Sequence, residues 1–223
     1  MSINGGAELT SGLSDVPVFI ASLVMLYAAS RCRRTGRTGR DWFNSCVIVP
    51  PAVFMGACNH IFRIEERHLR VLWPLTYLLM TFIAGLFWIL ILQIFRPHGA
   101  DCRIRTTILC AAAAVSAVNG AQRFFLGYDM TPMFTVFALP AVVHCIWTVI
   151  RNRGSVSSDV MKRSAAGVAL LLLSVIVEAA MRRPLMLFGI EFGGAFFSHM
   201  LIIAAMLMLT DVIRLTSEGS ANG

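Results

Sequence analysis

Apolar runs separated by short polar breaks fill the chain from about Asp15 to Arg214. The breaks, rich in Arg, Asp, Gly and Ser, divide it into seven segments. Each reaches or approaches the ~20 residues that a helix needs to cross ~30 Å of hydrocarbon. They are predicted at about Asp15–Ser30 (extended by Gly12–Ser14), Trp42–Phe62, Leu72–Phe95, Thr106–Gln122, Pro132–Ile150, Ser164–Met181 and Gly193–Ile213. Pro50 and Pro51 in the second segment and Pro140 in the fifth predict kinks, because proline removes a backbone donor and crowds the preceding turn. The small-residue run Ala111–Ala114 in the fourth suits close helix packing. The expected fold class is all-α, a polytopic seven-transmembrane-helix bundle at 15–214. A polar tail is expected at 1–14 and another at 215–223, with Gly5–Gly6 and Ser217–Gly223 read as disordered ends.

Charge sets the expected direction of insertion. Arg31, Arg33, Arg34, Arg37, Arg40, Arg96, Arg103, Arg105, Arg151, Arg153, Lys162, Arg163 and Arg214 fall on one side of the seven segments. Arg63, Arg67, Arg70, Arg123, Arg182 and Arg183 fall on the other. The richer side is cytoplasmic by the positive-inside rule, which puts the N-terminus outside and the C-terminus inside, as an odd number of spans requires. The expected location is a bacterial inner membrane. No signal peptide is expected, since Met1–Ser14 holds no Lys or Arg and the positive charge follows the first apolar run.

Composition agrees: 57% of the 223 residues are hydrophobic and only 14% charged, against roughly 25% charged in soluble domains. The net charge of +7 lies in the loops, where it faces lipid phosphates. There is no basic stripe of the kind that binds nucleic acid, so no nucleic-acid partner is expected. Lys162, the single lysine, stands in a loop, which argues against a retinal Schiff base inside the bundle. The six cysteines show no CxxC spacing and read as small buried hydrophobes.

Polar residues within the spans gather at one depth. Asp15 opens the first segment and His60 nearly closes the second. Trp73 opens the third, and Asn119 and Gln122 close the fourth. Glu178 lies near the outer end of the sixth, and His199 early in the seventh. At ~1.5 Å per residue all fall within roughly one to two turns of the outer boundary, as a pocket opening outward would require. His144 lies ~18 Å into the fifth segment and reads as a structural residue bonded to a neighbour. Each member of the cluster also has an ordinary reading. Asp15 serves as an N-cap, Trp73 as an interface anchor, Asn119 and Gln122 as helix ends, and Glu178 as the partner of Arg182 one turn on. His60 and His199 are harder to dismiss, because ionisable groups within spans are costly and face the bundle interior. Two imidazoles beside carboxylates form half of a zinc site, although no HxxxH or HExxH spacing accompanies them.

The stretches Gly56-Ala57-Cys58-Asn59-His60 and Phe196-Phe197-Ser198-His199-Met200, with the seven-segment pattern, resemble the CREST superfamily, which contains the alkaline ceramidases and the progestin and adipoQ receptors. The resemblance implies a zinc ion held by one His of the second helix and two of the seventh, with hydrolysis of a lipid amide aided by a Ser and an Asp. Several positions depart from that pattern. Ile203 and Ala195 stand four residues either side of His199, where the second ligand of the last helix belongs. Gly56 stands where the Ser belongs, and no Asp opens the third segment, with Glu65 and Glu66 in the preceding loop.

Two functions follow as expectations. In the first, a membrane hydrolase of a lipid amide or ester uses His60 and His199 as zinc ligands. Asp15, Glu178 or Glu191 is its third ligand, with Asp15 and Glu178 as the catalytic carboxylates. Asn119, Arg123, Arg182 and Trp73 contact the substrate, an Arg holding an anionic headgroup or the developing oxyanion. In the second, a non-catalytic bundle binds lipid or serves as a subunit among membrane-protein partners. Haem held between His60 and His199 is a weaker third reading.

Overall fold

The computed structural model describes residues 5–34, 37–62, 64–95, 102–126, 131–181 and 183–221. Arg63, Arg96 and Arg182 lie outside the described residues. The helices are α1 (Gly6–Cys32), α2 (Arg37–Val47), α3 (Val49–Ile61), α4 (Glu66–Phe95), α5 (Cys102–Ala121), α6 (Thr131–Arg151), α7 (Ser158–Ala180) and α8 (Gly194–Ala221). A π-helical turn at Gln122–Leu126 prolongs α5. The chain is mostly helical, and among the described residues five helices are long and apolar enough to cross a membrane: α1, α4, α5 with its π turn, α7 and α8. An all-α expectation needs one amendment. Strands β1 (Leu185–Leu187) and β2 (Ile190–Phe192) form an antiparallel hairpin between α7 and α8, turning through Phe188 and Gly189 at positive φ.

Two element boundaries differ from the hydropathy pattern for clear reasons. The second apolar segment forms two helices, α2 and α3, that part at Ile48. Pro50 thereby falls in the first turn of α3, where its missing N–H costs no hydrogen bond. The break replaces the expected kink, while Pro140 sits within an unbroken α6. At the N-terminus, α1 begins at Gly6 rather than near Asp15. Its early turns are polar but small, and they follow a helical period: Ser11, Gly12, Ser14, Asp15, Val18, Ala21 and Ser22 are all buried on one face. At the other terminus, α8 runs on to Ala221 through the segment expected as a tail.

Packing arranges the helices as an alternating bundle. α1 packs on α3 and α8, α3 on α4, α4 on α6, α6 on α7 and α7 on α8, while α5 lies against α4 and α6 on the outside. Helix α4 is the central member: its consecutive residues Ile89, Leu90, Ile91 and Leu92 are all buried and enter three different apolar clusters. Of the run Ala111–Ala114 only Ala112 is buried, against α4 and α6. Contacts at one end of the bundle join Asp41 to Gln93 and Arg105, Ser155 to the carbonyl of Phe95, and Arg163 to Asp211. The opposite end gathers the start of α1, the end of α3, the end of α7 and the start of α8.

The surface is the reverse of a soluble protein's. Leu13, Val16, Ile20, Leu23 and Tyr27 form an exposed stripe along α1, and Val136, Leu139, Val143, Trp147 and Ile150 another along α6. Both stripes repeat every three to four residues, the helical period. Ser11, Ser14, Asp15 and Ser22 are meanwhile buried on the inner side of α1. Contiguous exposed apolar surface of this kind is unfavourable in water and natural in hydrocarbon.

The tightest approach between helices lies where α1 meets α3. A Cβ placed on Gly12 would stand 2.5 Å from Cγ1 of Ile61, 3.0 Å from its backbone nitrogen and 3.1 Å from Cβ of His60. Glycine therefore sets the spacing of these helices. Gly12→Val is expected to lower stability by about 1–3 kcal/mol, the usual cost of overpacking. Denaturant unfolding in detergent measures it, with exposed Leu13→Val on the same helix as the near-neutral control.

Candidate functional site

The site is built from helix ends. Glu8 lies in the first turn of α1 and His60 in the last turn of α3, so each places its favoured charge against its own helix dipole. The antiparallel approach at Gly12 brings them together, with His60 Nδ1 and Glu8 Oε2 2.8 Å apart. From α8, His199 lies 2.7 Å from Ser14 Oγ and 3.4 Å from Asp15 Oδ1, both measured from Nδ1. The two imidazole rings face each other edge-on with centroids 6.5 Å apart. His60 also meets Trp73 of α4 edge-to-face at 5.3 Å. Below this contact, Asn59 donates to Thr76 at 3.1 Å and Thr76 in turn donates to the carbonyl of Leu72, which fastens α3 to α4.

Hydrogen-bond partners orient both rings. The Glu8 carboxylate is an acceptor, so a neutral His60 carries its proton on Nδ1 and its lone pair on Nε2. His199 Nδ1 faces the Ser14 hydroxyl and Asp15 Oδ1, and Ser14 Oγ also lies 2.6 Å from the carbonyl of Ser11. Metal-binding and general-base imidazoles are held in the same way, by a carboxylate or hydroxyl behind the ring.

Depth divides the carboxylates into two kinds. The side chain of Glu8 is 62% exposed and that of Asp15 only 7%. Asp15 Oδ2 is buried without a hydrogen-bond partner, and the atom nearest a Cβ built on Gly56 is this oxygen, at 4.0 Å. An orphaned carboxylate oxygen in an apolar bundle is costly and gains strongly from a donor or cation. Asp15 stands well inside α1, so the N-cap reading does not apply. Glu178 accepts from Ser198 Oγ at 3.2 Å, linking α7 to the residue beside His199. Glu191 lies on the hairpin, where its carboxylate accepts from the backbone N–H of Ala7 at 3.3 Å.

The sequence-expected residues do not all share this cluster. His60, His199, Asp15 and Trp73 come together, and Glu178 joins through Ser198. Asn119 and Arg123 belong to α5 and its π turn, which pack on the far side of α4. Asn119 is fully buried, with neither amide atom hydrogen-bonded. Arg182 lies outside the described residues. His144 accepts from the indole N–H of Trp88 at 2.8 Å, in keeping with a structural role. Sequence reading missed Glu8 and Ser14, because low hydropathy ended the first span near Asp15. A usable signal was present, since Glu8, Ser11, Gly12 and Asp15 continue one helical face at i, i+3, i+4 and i+7.

As metal donors the set is partial. Among the described residues, no three His, Cys, Asp or Glu side chains converge into a closed metal-binding group. Two features nevertheless suit zinc: the neighbouring imidazoles of His60 and His199 and the orphaned Asp15 oxygen. No protein-family model, no curated protein and no solved structure matches this chain.

Gly56 gives a direct probe of Asp15. A hydroxyl one bond beyond the built Cβ comes within hydrogen-bonding reach of Oδ2. The stability of Gly56→Ser relative to Gly56→Ala is therefore expected to be about 1 kcal/mol more favourable with Asp15 present than in an Asp15→Ala background. Equal differences in the two backgrounds, read from denaturant unfolding in detergent, show that Asp15 does not face Gly56.

Proposed function

We propose that this chain is an integral membrane protein with seven crossings, its N-terminus outside and its C-terminus cytoplasmic. Its His60–His199 centre lies at the outward end of the bundle, in a bacterial inner membrane. In this reading the centre hydrolyses a lipid amide or ester, with zinc held by His60, His199 and Asp15. The observation that carries it is the pair of imidazoles with ring centroids 6.5 Å apart, beside a buried carboxylate with an unsatisfied oxygen.

When bound, zinc supplies Lewis acidity to a carbonyl undergoing hydrolysis. The chain's own residues do the rest. Glu8 and Ser14 fix the ring orientations from behind. Asp15 counters positive charge at the centre from a site shielded from water. Glu178, tied to α8 through Ser198, is the second carboxylate for proton transfer, and Trp73 walls the centre beside His60. An anionic headgroup has Arg182 as its nearest candidate in sequence. Asn119 and Arg123, across α4, are not assigned contacts with substrate.

A second reading is favoured by one observation: among the described residues no three metal donors converge. The same cluster then acts as an interhelical hydrogen-bonding node in a non-catalytic bundle that binds lipid or joins membrane-protein partners. Metal content separates the two. Protein purified without a His tag is expected to hold about one zinc per chain, lost in His60→Ala and in His199→Ala. Elemental analysis showing no zinc in wild type sinks the hydrolase and leaves the binding protein.

Insertion is tested separately by fusions after Gly223 in a bacterial host. A cytoplasmic C-terminus predicts a fluorescent green-protein fusion and an inactive alkaline-phosphatase fusion. The opposite pair of results reverses the topology.

A further inference from the structure

The β1–β2 hairpin stands apart from the bundle's polar logic. Leu185, Met186, Leu187, Phe188 and Ile190 are all exposed, with Phe188 at the tip fully so at 101%. Its pairing sets Leu185 opposite Phe192, Met186 opposite Glu191 and Leu187 opposite Ile190. Side chains of a strand alternate between faces, so Leu185, Leu187 and Ile190 crowd one face with Phe192, while Met186 lies on the other beside Glu191, whose carboxylate is turned to the start of α1. The first face and the tip together expose a continuous apolar surface.

The hairpin's attachment fixes its level. Thr10 donates to the carbonyl of Glu191 at 2.7 Å, and the Glu191 carboxylate holds the start of α1 at Ala7. Phe192 packs on Phe196 of α8 at 4.7 Å. The ribbon thus sits at the bundle end that carries His60 and His199, where helices leave the apolar zone. It is not suited to lie deep in hydrocarbon, because a two-stranded ladder satisfies only part of its backbone groups within itself. Exposed Arg183 at its base matches lipid phosphates at the same level.

We infer that the Leu185–Phe192 hairpin is a lipid-insertion loop, which buries the side chains of its tip and of its Leu185–Leu187–Ile190 face in the upper acyl region while its backbone and Glu191 stay at headgroup level. Its ligand is the bilayer itself, and the site borders the start of α1 at Ala7 and Thr10. This holds whether the cluster is catalytic or not.

The test is fluorescence of Phe188→Trp and, separately, Leu187→Trp in proteoliposomes of phosphatidylcholine and phosphatidylglycerol, with the wild-type signal subtracted. Both positions are exposed, so neither exchange disturbs a packed core. Insertion predicts blue-shifted added emission in both variants, most of it lost when the lipid carries bromine on the upper acyl chain. Aqueous iodide removes little. Quenching by iodide and not by brominated lipid places the hairpin in water and overturns the inference. Protection from both quenchers shows a protein contact, such as a second copy of the chain, and also overturns it. Lipid quenching at Phe188 but not at Leu187 overturns insertion of the apolar face.

Discussion

Within hydrocarbon, a polar side chain can be satisfied only by other protein groups, because no water competes for the role. That constraint accounts for the close approach of α1 to α3 and α8. Gly12 lets α1 sit against the backbone of Ile61, and at this separation Glu8 reaches His60 while Ser14 and Asp15 reach His199. Small and polar residues on one side of α1 are matched by an apolar outer stripe. One helix thus serves lipid on its outer face and organises the centre on its inner face.

The centre has the character of a pre-oriented pair rather than a finished metal cage. Orientation is supplied from behind each ring, by a carboxylate for His60 and by a hydroxyl for His199. Ser14 also contacts the carbonyl of Ser11, which holds its hydroxyl in place against His199. Asp15 remains the energetic anomaly, a buried carboxylate with one oxygen unsatisfied. Such a group is retained where a donor, a cation or a proton meets it during function, and this ties the chemistry proposed for the centre to its most costly feature.

Helix α4 divides the molecule. His60, Trp73 and His199 lie on one side of it, whereas α5 with Asn119 and Arg123 lies on the other. Residues at equal depth along their own helices need not face the same space, since depth gives one coordinate and the order of helices around the bundle gives another. The hairpin adds a further element at this end, apolar where a soluble loop would be polar.

Hydropathy alone determined much about this protein. It located the apolar cores of the long helices though not their ends, marked His60 and His199 as polar groups at one level, and set His144 apart from them. These features are legible because burial in lipid demands long apolar runs and makes each ionisable exception conspicuous. Tertiary structure decided the rest. The start of α1 at Gly6, the break at Ile48 and the β-hairpin depend on packing partners distant in the chain. So do the roles of Glu8 and Ser14. Small polar residues have low hydropathy wherever they stand, and only a neighbouring helix shows whether they face water or an imidazole.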